Sequence, residues 1–276
     1  MSEIAGYRIE AQIADGPLAA VYRARRGAAE VALKVYRPGL AADGERIRRE
    51  HEAQARVGHP CVVRLLDFGT LPDGGAWLAS EWIEGTRLED RLAAGALSWS
   101  ELFPVVSAIA DGLGAIHAAG VVHRDLKPSN VLLPERPRPA AMLLDFGHSL
   151  VLSAERLTDR GLVLGSAAYM APEQAAGRAL DGRADLYALG VILYRGLCGV
   201  LPFASRSPAE ILRQHLRDPV VPPRRRAPER DVPAAAEDLC LWLLAKNSDA
   251  RVPSARVLRV TLAAIDPARH AHEEVA

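Results

Sequence analysis

Three features of the sequence predict an α+β chain folded in two lobes, the first mainly antiparallel strands and the second mainly helices. Residues 7–36 alternate apolar and polar positions between Gly, Pro and Ala punctuation, the pattern of hairpin strands. From Glu101 to Ala119, and in segments from Ala209 to Leu262, apolar residues recur at helical spacing instead. The composition is that of an ordinary globular protein, 49% hydrophobic and 25% charged, and 276 residues exceed what one compact core accommodates.

Charge and cysteine usage narrow the function classes. Lys+Arg and Asp+Glu both number 34, so nothing global points to nucleic acid or a membrane surface as the main partner. Clusters such as Arg224-Arg225-Arg226 read as solvated loop charges. Cys61, Cys198 and Cys240 are widely spaced, odd in number and without zinc-ligand spacing, so they are expected to be reduced and mostly buried. The acidic N-terminal stretch has no apolar segment of signal-peptide length, and the longest apolar run, Leu186 to Tyr194, is too short for a membrane span. A soluble, cytoplasmic protein is expected.

Chemistry concentrates in Val121 to Asn130, V-V-H-R-D-L-K-P-S-N, with Asp145-Phe146-Gly147 following fifteen residues after Asn130. Asp125 and Asn130 lie five apart across a Pro-containing turn, which neither a helix stripe nor a strand face explains. Val131 to Leu133 and Met142 to Leu144 read as short buried strands. A loop, a strand, a turn and a second strand ending in an acid form a floor able to hold a divalent cation. Asp and Asn oxygens are hard ligands suited to Mg²⁺, which takes few carboxylates and fills its remaining positions from phosphates and water. That combination points to phosphoryl transfer.

At these residues, and over roughly Tyr7 to Leu262, the sequence resembles the eukaryotic-type serine/threonine protein kinases of bacteria, because H-R-D-L-K-P-S-N and D-F-G stand in an ordered set with further motifs. The resemblance implies an N-lobe at 1–84 that binds ATP and a C-lobe at 85–276 that carries the catalytic loop. It also implies roles for individual residues. Ile13 and Gly16 belong to the loop over the phosphates, in I-A-D-G-P-L-A-A-V, where the family pattern has three glycines and this chain has Ala14, Gly16 and Ala19, with Pro17 at the tip. Since that loop acts through close backbone N–H groups, weakened ATP binding is expected.

Val31-Ala32-Leu33-Lys34 matches the strand whose lysine meets the α- and β-phosphates. In the next helix, Asp43 to Val57, Ile47, Glu50, Gln54 and Val57 share one face, and a carboxylate on that stripe needs a partner, so Glu50 is expected to pair with Lys34. The main chain of Glu81 and Ile83 would meet adenine between the apolar walls Val21, Ala32 and Leu132, with Ser80 leaving a rear pocket open. Glu101 to Ala119 is a helix closed by Gly120. His117 and His123 read as packing residues.

By the same resemblance, Asp125 orients and deprotonates the acceptor hydroxyl, Lys127 stabilises the transferring phosphoryl group, and Asn130 with Asp145 holds Mg²⁺. Arg124 is a candidate to bind a phosphorylated side chain. The segment from Asp145 to Glu173 offers Thr158, Ser153 and Ser166 for self-phosphorylation, with Ser166 also placed to hydrogen-bond the catalytic acid and lysine. Glu173 and Arg251 form the expected buried ion pair, and Asp185 supports the catalytic loop from below. Protein substrates with Ser or Thr acceptors follow. The degraded glycine loop leaves one alternative, a pseudokinase acting as a nucleotide-responsive binding module.

Overall fold

The computed structural model describes residues 3–16, 19–38, 51–135, 137–146 and 164–267. Pro17, Glu50, Gly147, Ser153, Thr158 and the segment after 267 lie outside these residues, so the readings made for them are not placed by it.

Six strands form one antiparallel sheet in the order β1-β2-β3-β4-β6-β5. They are β1 (Glu3–Ile4), β2 (Tyr7–Asp15), β3 (Ala19–Arg26), β4 (Ala29–Tyr36), β5 (Leu65–Thr70) and β6 (Ala76–Glu81). The alternation read in residues 7–36 has a direct consequence in β4. Val31 and Leu33 bury on one face beside Tyr7 and Trp77, while Ala32 and Lys34 turn to the other face and line a cleft. Tyr7 and Trp77 meet edge to face at 5.6 Å. Helical turns at 51–55 flank the sheet.

Beyond Glu81 the chain becomes mainly helical. β7 (Gly85–Arg87) pairs with β8 (Val131–Pro134), which pairs with β9 (Met142–Leu143), making a second, three-stranded sheet under the cleft. The helices are α1 (Leu88–Ala93), α2 (Trp99–Ala118), α3 (Leu164–Ala167), α4 (Pro172–Ala175) and α5 (Gly182–Cys198). They continue with α6 (Pro208–Arg217), α7 (Pro223–Arg226), α8 (Ala234–Leu243) and α9 (Ala255–Ala264). The stretch read as a Pro-rich loop thus contains one helical turn, α7, started by Pro223 at its first position.

Helix α2 starts two residues before the expected Glu101. Ser98 and Glu101 form a capping box, each side chain serving the other's backbone N–H, so Trp99 and Ser100 are already helical. Gly120, at φ +75°, follows its end in the left-handed conformation that favours glycine. By length and composition α2 is the only helix among the described residues that could cross a bilayer, and half of that window is buried in the fold. Its apolar face packs with α5 and α9 into the main core. Helix α5 is the centre of that core, sequestering Leu186, Leu189, Ile192 and Leu193 and ending at Gly199, φ +74°. All three cysteines are buried and free.

Candidate active site

Between the two sheets lies a cavity of about 420 Å³. Ile13, Val21, Ala32, Lys34, Glu81, Ile83, Leu132 and Asp145 line it, which brings together eight of the residues read from the sequence. Gly16 is not among them. Its N–H donates to the Ala19 carbonyl at 3.0 Å and its own carbonyl accepts from Arg37, so this turn bonds to itself. At the other end, Glu81 donates its N–H to the Arg64 carbonyl, while Ile83 makes no backbone hydrogen bond among the described residues. An unpaired donor and acceptor at an apolar cleft edge is the arrangement that a planar heterocycle with complementary edge groups satisfies.

Lys34 and Asp145 face each other across this cleft, Nζ to Oδ2 at 3.0 Å, from residues 111 apart in sequence. Burial by itself would pull the Lys34 amine down. The Asp145 carboxylate and the Tyr36 phenol outweigh it and hold the amine above its ordinary value, so it stays charged. Asp145 adopts φ +50° and Arg124 φ +69°, both in the left-handed region that non-glycine residues rarely enter. Backbone strain of this kind persists where the surroundings impose it. Here the imposing groups are named: the Gln54 amide donates to the Phe146 carbonyl, and Asp185 accepts the backbone N–H of both His123 and Arg124 at 2.9 Å.

The catalytic-loop residues converge on one oxygen. Asp125 Oδ2 accepts from Lys127 Nζ at 2.7 Å and from Asn130 Nδ2 at 3.1 Å. Lys127 Nζ donates also to Ser166 Oγ at 2.8 Å, tying the strip before Glu173 to the loop. Asn130 uses its amide nitrogen on Asp125 twice, since Nδ2 donates to the Asp125 carbonyl at 2.7 Å as well. That fixes the carboxamide and leaves Oδ1 as the atom not committed to Asp125. A hard Asn oxygen and the second Asp145 oxygen are the donor set that Mg²⁺ accepts when phosphates and water complete its shell, so the residues present fit that ion.

Two supports were only partly legible beforehand. Asp185 is buried at 1% exposure and was expected beneath the loop. It receives a further hydrogen bond from His117 Nε2 at 2.7 Å. His117, read from spacing as packing, therefore orients the acid that orients the loop. His123 is fully buried against the Phe146 ring, and desolvation holds its pKa below the ordinary value. Arg251 pairs with Glu173 in a fork, 2.7 and 3.0 Å, as expected, and also donates to the carbonyls of Ala245 and Arg183. Asp90, at the cavity rim in the first turn of α1, was missed. Its signal was an acid just past the strand that enters the cleft.

The match to known proteins agrees with this geometry. Residues 7–261 fit the model of the protein kinase domain. The chain is 39% identical over 275 residues to the serine/threonine-protein kinase pkn3 of Myxococcus xanthus, covering 95% of this chain and 50% of that protein. It is 43% identical over 264 residues to the DNA damage-responsive serine/threonine-protein kinase RqkA of Deinococcus radiodurans, covering 91% of this chain and 38% of that protein. With PknB of Mycolicibacterium smegmatis it shares 34% over 242 residues, 84% of this chain and 38% of the relative. The chain thus spans half or less of the length of these relatives. A lysine and an acid facing across a nucleotide-sized cleft, above a loop in which lysine and asparagine share one aspartate, fall within the matched span, and the chain belongs to the protein kinase domain family.

Proposed function

We propose that this chain is an Mg-ATP-dependent protein kinase that transfers the γ-phosphate of ATP to Ser or Thr hydroxyls of proteins, its own Thr158, Ser153 or Ser166 included. The observation that carries the reading is the shared Asp125 oxygen. Lys127 and Asn130 hold that carboxylate in one orientation, so it is aimed before an acceptor arrives. Asp125 accepts the acceptor's hydroxyl hydrogen and aligns its oxygen for in-line attack. Lys127, held beside Asp125 and Ser166, neutralises charge building on the transferring phosphoryl oxygens.

Lys34 positions the α- and β-phosphates, exchanging part of its contact with Asp145 for them. Ile83 meets the adenine edge, and Val21, Ala32 and Leu132 enclose the ring faces. Asn130 Oδ1 and Asp145 would hold Mg²⁺, which would supply positive charge against that of the phosphates. The pseudokinase alternative rests on the loop at Ala14, Gly16 and Ala19. Against it stand Lys34, Asp125, Lys127, Asn130 and Asp145, all present and all but Lys34 and Asp145 joined in one hydrogen-bonded unit, with those two paired to each other.

The test is transfer from radiolabelled ATP with Mg²⁺, wild type against Asp125→Asn. Removing the base is expected to lower the rate at least about a hundredfold while nucleotide binding persists. Label in both proteins at equal rates, or in neither with nucleotide bound, would overturn the assignment.

A further inference from the structure

We propose that α6, α7 and the loop between them form a docking surface for an acidic stretch of the protein acceptor, at a distance from the hydroxyl that receives phosphate. This rests on the kinase reading for the identity of the partner, but the surface is defined by charge alone. In a chain of net charge zero, residues 205–231 carry seven arginines against four acids, Glu210, Asp218, Glu229 and Asp231. Two of those acids, Glu210 and Asp218, are both taken by Arg213, at 2.7 and 3.0 Å. Arginines elsewhere in the fold mostly have acidic partners: Arg23 with Glu30, Arg26 with Asp67, Arg195 with Glu89, Arg251 with Glu173. Among the described residues Arg206, Arg217, Arg224, Arg225 and Arg226 form no ion pair.

A solvated loop run, the reading made from sequence, would leave its backbone free to move. This run is held. Pro223 and Ala227 are buried on either side of it, the N–H groups of Arg225 and Arg226 both bond the Pro222 carbonyl, and the Arg224 N–H donates to Glu237 at 2.6 Å. Tyr194 of the central helix anchors the approach by donating to the Val221 carbonyl at 2.9 Å. Three consecutive guanidinium groups are therefore presented from a fixed platform, which lowers the ordering cost of binding an anion. Glu237 accepts the Arg224 N–H and forms no ion pair with the three guanidinium groups among the described residues.

Two hollows flank the arginines. One of about 400 Å³ is lined by Arg224, Arg225, Pro228 and Val232 together with the acids Asp231 and Glu237, and a more apolar one of about 230 Å³ opens among Arg226, Tyr194, Leu201, Phe203 and Val221, the last of these 43% exposed. Guanidinium groups beside one partly apolar hollow suit a peptide in which carboxylates are spaced by apolar side chains. A nucleic-acid backbone or an anionic bilayer presents a continuous run of phosphates, which would meet the carboxylates of Glu229 and Asp231 set among these arginines. The surface is also joined to the acceptor strip. His215 of α6 hydrogen-bonds the Ala168 carbonyl at 3.1 Å, two residues after Ser166, whose hydroxyl touches Lys127.

The experiment uses the full chain and a fluorescein-labelled peptide of alternating Glu and Leu, with binding followed by anisotropy at low and high salt. Simultaneous Arg224→Glu, Arg225→Glu and Arg226→Glu is expected to weaken binding at least tenfold. The corresponding three Gln substitutions should weaken it less, and Arg256→Glu, at an exposed position of α9, should change it less than twofold. Unchanged thermal melting of the variants shows that the fold is kept. Equal binding by the triple Glu variant would overturn the proposal, as would a single-stranded oligonucleotide or phosphatidylserine vesicles binding more tightly than the peptide through the same arginines. With acceptor peptides, the triple variant should raise KM only for those bearing an acidic tail and leave kcat unchanged. If wild type transfers no phosphate at all, the kinase reading fails, while the anisotropy result still decides whether an acidic segment docks here.

Discussion

Individual side chains in this site act through how few alternatives they have. Asn130 spends its nitrogen twice on Asp125, and Lys127 spends its amine on Asp125 and Ser166, so neither can leave without exposing an unpaired group in a closed loop. The phosphate loop is the opposite case. Gly16 bonds to Ala19 and Arg37 rather than lining the cavity, and alanine stands at both flanking glycine positions. Ala14→Gly, Pro17→Ser and Ala19→Gly together restore backbone freedom and one donor. ATP affinity, measured by calorimetry, is expected to rise by about 1 to 3 kcal/mol, the worth of a charge-assisted hydrogen bond. Unchanged or weaker binding would show that the alanines and proline cost nothing.

Elements matter here where they carry buried polar residues between distant segments. Helix α6 does so with His215, fully buried, which donates from Nε2 to the Ala168 carbonyl and so accepts at Nδ1 from the Tyr187 hydroxyl at 2.8 Å. Burial first, and then the nearby Lys246 charge, pushes its pKa down to about 4. The unfolded chain binds a proton on this ring below about pH 6.5 and the folded chain does not until near pH 4, so stability is lost as pH falls through that window. Urea unfolding at pH 7 and pH 5 should show a loss on the order of 2 kcal/mol in wild type that His215→Gln lacks. Equal pH dependence in the two proteins would place the titration elsewhere.

The turn carrying Glu173 is held to the segment before α9 in a similar way by Arg251, whose side chain is wholly buried. Arg251→Met leaves Glu173 desolvated and unpaired, and is expected to cost about 3 to 5 kcal/mol in denaturant unfolding. Adding Glu173→Gln should recover much of that loss. Absence of recovery would mean that the bonds to Ala245 and Arg183 dominate instead.

At the scale of the whole molecule, the two sheets meet at a cleft spanned, among the described residues, by the Lys34–Asp145 ion pair and by the Gln54 contact to Phe146. A ligand that engages both sides stabilises the fold by mass action. At one hundred times its Kd, Mg-ATP should add about 2.7 kcal/mol, a rise of about 5 to 10 °C in melting temperature. The part of the shift that depends on Mg²⁺ should vanish in Asp145→Asn while that from ATP with EDTA remains. A metal-dependent shift retained in the variant would remove Asp145 from the cation site.

What the sequence determined by itself was everything carried over short separations. The loop from His123 to Asn130 and the strand alternation that turns Lys34 to the cleft are each set by residue type at a spacing of a few positions, where chain geometry leaves one arrangement; the Ser98 to Glu101 cap had the same short-range signal, but the helix was expected to begin only at Glu101. The family followed from the order of such motifs. Tertiary structure alone decided which distant groups meet. His117 reaches Asp185 across 68 residues and His215 reaches Ala168 across 47. Helical periodicity showed that such residues share a face, but it carries no information about the partner, because that depends on how α2, α5 and α6 pack around a common core. The same reason separates Arg224 to Arg226 from a flexible charged loop: only the burial of Pro223 and Ala227 by α5 and its neighbours makes those arginines a rigid surface.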